Sequence, residues 1–556
     1  MMRRVSRLLT AAAALPLAAC AAYQSPAPAK TTPPVSEETG VSGPVATQQG
    51  LVQGTAGKLP GIIVFKGIPF AAPPVGDLRW KLPAEPAAWS GVRDASEYGA
   101  PCIQSPAPER FPVNSATDLG NAPPPSEDCL FLNIWTPARA ANEKLPVMVW
   151  LYGGAYNEGG GNAPFSEGDH LAAKGVVMVT LNYRVGSLGF FSHPELSAES
   201  PHGASGNQGL ADAIAAFKWL KANVAAFGGD PDNITLFGES AGAAMNAGLV
   251  GSPAAAGTFE RAIAQSGGWM GLGIATMMPK DRAEAMGQQA AEAAGAASLV
   301  DLRAMPAMDV HTKLRGQGMV IDGWIIPEDL SITFANGRQN KVDVIAGSNG
   351  DEGSFTSIFG PPATLESWNS GAAMRWGDHV ALGQAAYPAS TDAEAAAQAP
   401  MPFSDTLAWH MRLFADRQAA IGQQSWHYWF THEPPYDDGR PDLGSAHTAE
   451  IPYTFNNLAA PRTFPGGSSV EKMAGNPREE ALADLISSYW VNFARTGNPN
   501  GPGLPQWPGM DELGPNESMI LDVDGSGKGL WLTAEKVSLY EALYNDQVAK
   551  ALETGE

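Results

Sequence analysis

No stretch of this 556-residue sequence concentrates positive charge. Lys and Arg total 35 against 57 Asp and Glu, for a formal net charge of -22. Phosphate binding needs a basic face, so nucleic acid is excluded as a partner, and the acidity reads as a solubility feature. Cysteine is scarce, at three residues. Histidine offers no metal-ligand spacing: His427 and His432 lie near the aromatic run Trp426–Phe430, unlike an HExxH zinc pair, and read as packing or surface residues. Past the first twenty residues, no apolar run is long enough to span a bilayer. What remains is a globular composition, 44% apolar and 17% charged, long enough for several domains or one large one.

The N-terminus has its own pattern. Arg3, Arg4 and Arg7 precede the apolar stretch Leu8–Ala19, which is too short for a stable transmembrane helix and reads as an export signal. Its removal would take the net charge to about -25, since it carries those three arginines and no acid. Leu17-Ala18-Ala19-Cys20 resembles the lipobox of bacterial lipoproteins. That resemblance implies a lipid on Cys20 as the first mature residue. Ala21 stands where an inner-membrane retention signal would show Asp, which implies an outer-membrane lipoprotein facing the periplasm or the surface. The other reading is an ordinary cleaved signal and a soluble periplasmic or secreted product. In an exported chain the even pair that remains, Cys102 and Cys129, reads as a disulfide. The loop-entropy estimate for that closure is roughly 3–4 kcal/mol.

The organisation is then simple. Residues 20–45 are rich in Pro, Ala, Ser and Thr and read as a flexible tether. Residues 46–546 show no second linker or repeat and read as one domain, with 547–556 as a C-terminal tail. Val147–Tyr152, Val176–Tyr183, Ile234–Phe237 and Val342–Ala346 are short β-branched runs that predict buried strands. Leu210, Ile214, Phe217, Val224 and Phe227 recur at helical spacing between them. Strand–helix–strand order predicts an α/β fold: a large, mostly parallel sheet with helices on both faces and the site at the carboxyl ends of the strands.

Gly238-Glu239-Ser240-Ala241-Gly242 follows the predicted strand Ile234–Phe237. This is the G-x-S-x-G nucleophile elbow, in which a tight strand-to-helix turn projects the serine above the sheet. With 62 glycines in the chain the pentapeptide alone is weak, but Phe227-Gly228-Gly229-Asp230-Pro231 leads into it in the required order. Phe227–Gly242 resembles the serine active-site signature of type-B carboxylesterases, the cholinesterase-like α/β-hydrolases. Glu127-Asp128-Cys129-Leu130-Phe131-Leu132-Asn133-Ile134 resembles their second signature. Phe65–Ala71, Asn182–Gly186 and Asn492–Asn500 also match in kind. The resemblance runs from about Gly50 to Trp507.

Serine needs an adjacent base, and in this fold the chain order is serine, acid, histidine. His447, in Gly444-Ser445-Ala446-His447-Thr448-Ala449-Glu450-Ile451-Pro452, matches the family's catalytic histidine segment. Asp351-Glu352-Gly353 follows a predicted strand, and the resemblance makes Glu352 the acid, with Asp351 as the local rival. Tyr152-Gly153-Gly154-Ala155-Tyr156 resembles the glycine-rich oxyanion loop. It implies N–H donors at Gly154, Ala155 and Ala241, already aimed at the oxygen that becomes negative. Many relatives carry Gly where Ala155 stands. The resemblance also places Glu239 near the histidine, in an auxiliary electrostatic or a structural role, and Ser266 near the acid. It puts Trp269 and Met270 along the acyl pocket and pairs Arg79 with Glu127 and Arg184 with Asp212.

These residues imply acyl transfer through an acyl-enzyme on a small-molecule ester, with no metal or cofactor. The alternatives are an amide or carbamate hydrolase with the same triad, or an inactive adhesion or scaffold member of the fold. The latter class loses a triad residue, whereas Ser240, Glu352 and His447 are all present. The span between Cys102 and Cys129 has Phe111 as its single aromatic residue. That composition predicts no preference for choline esters, which need an aromatic face for the cation.

Overall fold

Long apolar runs such as Leu145–Leu151 and Val177–Leu181 can be buried on both faces only inside a sheet covered by helices. The computed structural model, which describes residues 41–105, 122–267, 277–358, 360–439, 441–460 and 469–554, has such a sheet. The export signal, Cys20, Phe111, Trp269 and Met270 lie outside the described residues. Eleven strands form the sheet: β1 Thr55–Ala56, β2 Ile63–Pro69, β3 Phe131–Thr136, β4 Leu145–Leu151, β5 Val177–Leu181, β6 Gly229–Glu239, β7 Arg261–Gln265, β8 Asp343–Asn349, β9 Ser425–Phe430, β10 Glu517–Leu521 and β11 Gly527–Leu530. Their spatial order is β11-β10-β9-β8-β7-β6-β4-β5-β3-β2-β1. The strands from β5 to β10 pair in parallel, and antiparallel strands finish both edges.

Helices cover the parallel block. Ala241–Gly251 packs on β6 and β7, Met401–Ala420 on β8 and β9, and Pro477–Thr496 on β4 and β6. The last of these has clear stop and start signals. Asn476 caps it by accepting from the Arg478 N–H, Pro477 occupies the first turn, and Gly497 ends it in the left-handed conformation. The helical spacing from Leu210 is found in Gln208–Asn223, while Val224–Phe227 tightens to a 3-10 turn. His427 and His432 are buried packing residues, bonded to Ser518 and Glu479 respectively.

Two boundaries differ from the sequence reading. Val41 is buried in the core and Val45–Ala46 is a strand, so ordered structure begins inside the segment read as a tether. The helix Ala534–Thr554 runs on into the segment read as a C-terminal tail, where the partly buried Val548 packs against the core. Polar composition hid both, because a single buried residue per turn is enough to dock a terminal segment.

A second, smaller core lies under the helices Lys280–Ala293, Leu299–Ala304 and Ala307–Lys313. It joins Trp80, Leu188, Phe191, Leu299, Leu302, Val310 and Leu314. Arg79 staples this cap to the body. Its guanidinium makes two 2.7 Å bonds to Glu127 and donates to the carbonyls of Leu302, Arg303 and Met305. The Cys102–Cys129 disulfide is present beside it. Arg184 pairs with buried Asp212 through bonds of 2.8 and 2.7 Å.

Candidate active site

The chain passes from β4 to β5 on one side and returns to place β6 on the other. The carboxyl ends of β4 and β6 therefore lie side by side, with Leu151 opposite Gly238. A reversal of this kind opens a crevice beyond the strand ends, where open α/β sheets bind ligands. Tyr152–Ala155 leaves β4 at this point and Glu239-Ser240 leaves β6.

Ser240 sits at φ 55, ψ -124 and heads the helix Ala241–Gly251. A side chain rarely adopts that conformation, and it persists only where the surroundings over-determine it. Here the Ser240 N–H donates to the Gln265 carbonyl at 2.9 Å, and its carbonyl accepts from Ala244 N–H at 2.9 Å. The flanking glycines have a steric cause. A Cβ on Gly242 would stand 2.0 Å from the Leu151 carbonyl oxygen, and one on Gly238 would stand 2.5 Å from it. The end of β4 is thus pressed against the elbow, and only glycine admits that approach.

His447 Nδ1 lies 2.5 Å from Glu352 Oε2. The other oxygen of the fully buried Glu352 accepts the Asn349 N–H at 2.8 Å. Asp351 faces elsewhere: its carboxylate accepts from the N–H and the hydroxyl of Ser445, each at 3.1 Å. It ties down the loop that leads to His447 and does not orient the ring. Glu239 Oε1 lies 3.1 Å from His447 Nε2 but is not aligned as a hydrogen bond. Ser266 lines the same cleft and donates its N–H to Gly347, in the strand β8 that leads to Glu352.

Glu450 completes a buried group that the sequence reading missed. It accepts from Asn349 Nδ2 at 2.6 Å and from Gln265 Nε2 at 3.0 Å. The signal was there: an acid inside the histidine segment, followed by Ile451 and Pro452. Three buried carboxyls and one imidazole now share a small volume. Burial opposes the charged imidazolium, but Glu239 and then Glu352 outweigh it and push His447 up to about 10. Burial pushes Glu239 well above the usual carboxylate range; His447 opposes this, while Glu450 and Glu352 add to it. Burial, then the Glu352 charge, pushes Glu450 up, against its bonds from Asn349 and Gln265. Glu239 and Glu450 therefore retain protons that isolated carboxyls would lose.

Ser240, His447, Glu239, Gly154, Ala155 and Ala241 line one cleft of about 630 Å³. Gly154 has φ 111 and Ala155 φ 51, so the loop turns sharply after β4. No hydrogen bond among the described residues uses the backbone N–H of Gly154 or Ala155. Ala241 opens its helix, where the N–H has no intrahelical partner. Apolar walls come from Phe165, Phe355, Phe403, Leu407 and Met319, which converge from distant segments and were not legible as a set.

A half-buried elbow serine at the switch point of such a sheet defines an α/β-hydrolase, a serine hydrolase by class. The chain belongs to the carboxylesterase family, whose profile matches residues 42–540. It is 38% identical over 498 residues to the fumonisin B1 esterase of Sphingopyxis macrogoltabida, covering 88% of each chain. It is 34% identical over 506 residues to the para-nitrobenzyl esterase of Bacillus subtilis (strain 168), covering 86% of this chain and 94% of that one. A crystal structure of a Geobacillus stearothermophilus carboxylesterase superposes with a TM-score of 0.73 at 30% identity, over 90% of this chain and 100% of that one. The protein is a carboxylic ester hydrolase.

Proposed function

We propose that Ser240 is the nucleophile, His447 the general base and Glu352 the acid that orients it. The observation that carries this reading is one cleft lined by the strained Ser240, by His447 and by the unused N–H groups of Gly154 and Ala155. His447 takes the Ser240 proton as the hydroxyl attacks the ester carbonyl. The N–H groups of Gly154, Ala155 and Ala241 hold the tetrahedral oxyanion. The alcohol leaves with the proton from His447, and water then hydrolyses the acyl-serine by the same path. Replacing Ser240 by Ala should remove turnover of a chromogenic short-chain ester by several orders of magnitude, as nucleophile loss costs about 10⁶-fold in a related mechanism. A purified, folded variant with near wild-type activity would reassign the nucleophile.

The substrates we assign are esters with small or medium acyl groups. The pairing of Gly154 with Ala155 resembles that of relatives that accept bulky alcohols, so a screen should include branched alcohol esters. Cys20 is read as a lipid anchor on the outer membrane, on the strength of Leu17-Ala18-Ala19-Cys20 and the basic residues before it.

A further inference from the structure

Among the described residues that line the catalytic cleft, Arg315 is the single lysine or arginine. It makes no ion pair and no hydrogen bond to a described residue. Other arginines also lack a carboxylate partner, Arg375 and Arg495 donating to carbonyls instead, but none of them lines the cleft. Arg79, Arg184, Arg303, Arg338, Arg412 and Arg478 each hold a carboxylate of the protein.

The segment that carries Arg315 is fixed rather than loose. Leu314 before it is buried in the cap core. A Cβ on Gly316 would stand 2.7 Å from the Gly186 carbonyl group, so the backbones touch there. The Gln317 N–H donates to Phe190 at 2.8 Å, and its side chain bonds the Ser192 N–H and the Ala283 carbonyl, each at 2.9 Å. Gly318 turns at φ 70 beside the Tyr156 ring. Three successive residues pin the path, and Arg315, an exposed residue, lines the cleft beside them. The other titratable groups lining the described cleft are Glu158, Glu239 and His447. Glu239 and His447 lie together at the reacting end. Glu158 is half-buried and is not ion-paired with Arg315; burial pushes its carboxyl up, which weakens its claim on the cation.

We propose that Arg315 recognises a carboxylate carried by the substrate away from the scissile bond, so that the preferred substrates are acidic esters: partial esters of polycarboxylic acids, or esters of alcohols that bear a carboxylate. This rests on the reading of Ser240 as the nucleophile of the same cleft. A guanidinium presents a rigid fork that matches a carboxylate through two parallel bonds. A permanent positive charge in an otherwise acidic molecule also selects, because the surface repels anions and the cleft alone retains them. The bound carboxylate is not consumed; hydrolysis breaks the ester bond at the other end of the molecule.

The test compares matched pairs. On the acyl side, 4-nitrophenyl hydrogen glutarate is set against 4-nitrophenyl valerate. On the alcohol side, 4-butyryloxybenzoic acid is set against its methyl ester. The wild type should favour the charged member of at least one pair in kcat/KM. Arg315→Gln should erase that preference by raising KM for the charged ester roughly tenfold to a hundredfold, the range for a charge-assisted bond. The neutral ester should change by less than about twofold, and Arg315→Lys should restore the preference only in part. A wild type that favours the neutral member of both pairs, or an Arg315→Gln variant that slows both members equally, overturns the proposal. Failure of the wild type on all four esters, or turnover of them by Ser240→Ala at the wild-type rate, is a different result: it removes the Ser240 reading beneath.

Discussion

At the scale of single residues, Glu352 and Asp351 are neighbours in sequence with separate partners. Glu352 meets the imidazole and the Asn349 N–H, whereas Asp351 meets Ser445. Glu352→Gln should therefore cost on the order of 10⁴ in kcat, because the ring loses its orienting acceptor. Asp351→Asn should cost clearly less, since it acts through the loop before His447. The reverse ranking in steady-state kinetics would move the acid to Asp351. Glu239 offers a pH test. The histidine must be neutral to accept a proton, so activity rises as pH climbs through its pKa. Glu239 is the foremost charge raising that pKa. Glu239→Gln removes the charge, and the acid limb of the kcat/KM profile should move to lower pH. An unmoved limb, or one displaced upward, would show that Glu239 is already neutral throughout or acts only as structure. The apparent value will belong to the coupled group rather than to one residue.

At the scale of elements, legibility depended on whether the signal was local. The elbow was legible because its cause is local: Gly238 and Gly242 must admit the Leu151 carbonyl, and that requirement is written into five consecutive residues. The strand runs were legible because two-sided burial demands continuous apolar sequence. The start of β6 was not. It reaches back to Gly229, through Asp230, Pro231 and Asp232, because Gly229 pairs with Leu145 across a register irregularity. Arg315 carried no signal either, since a cleft assembled from remote loops has no pattern along the chain. The pairing of Arg79 with Glu127 was expected, but its further hold on the cap helix was not. Arg79→Ala would leave three carbonyls and a largely buried Glu127 without their donor. Breaking a buried pair from one side costs about 3–5 kcal/mol. That loss should appear in the urea unfolding midpoint, while Lys144→Ala, a change at a surface residue, should leave it in place. A loss under about 1 kcal/mol would mean that the cap is held by its apolar contacts alone.

For the whole molecule, two properties can be tested: where the chain resides and which charges it admits. Lipid on Cys20 should add a lipid mass to the mature N-terminus and send the protein into the detergent phase; recovery as a soluble chain cut at another position would remove the anchor. Charge selection follows from a conflict between surface and cleft. A net charge of -22 draws cations toward the molecule, which on its own would favour choline esters. Inside the described cleft, the permanent charge is the guanidinium of Arg315, which repels them. A quaternary ammonium would also need an aromatic face, best a Trp, to replace its hydration. The span from Cys102 to Cys129 has no Trp or Tyr, and Trp150, which does line the described cleft, is almost wholly buried in the core. Attraction at long range is screened within about 8 Å at physiological salt, so the cleft decides the outcome. The kcat/KM for acetylcholine should fall at or below that for an uncharged ester of similar size. A choline preference of about tenfold or more, equivalent to about 1.4 kcal/mol of transition-state binding, would make one of the cleft's own rings, Tyr156, Phe165, Phe355 or Phe403, a cation site and would defeat this account of the cleft.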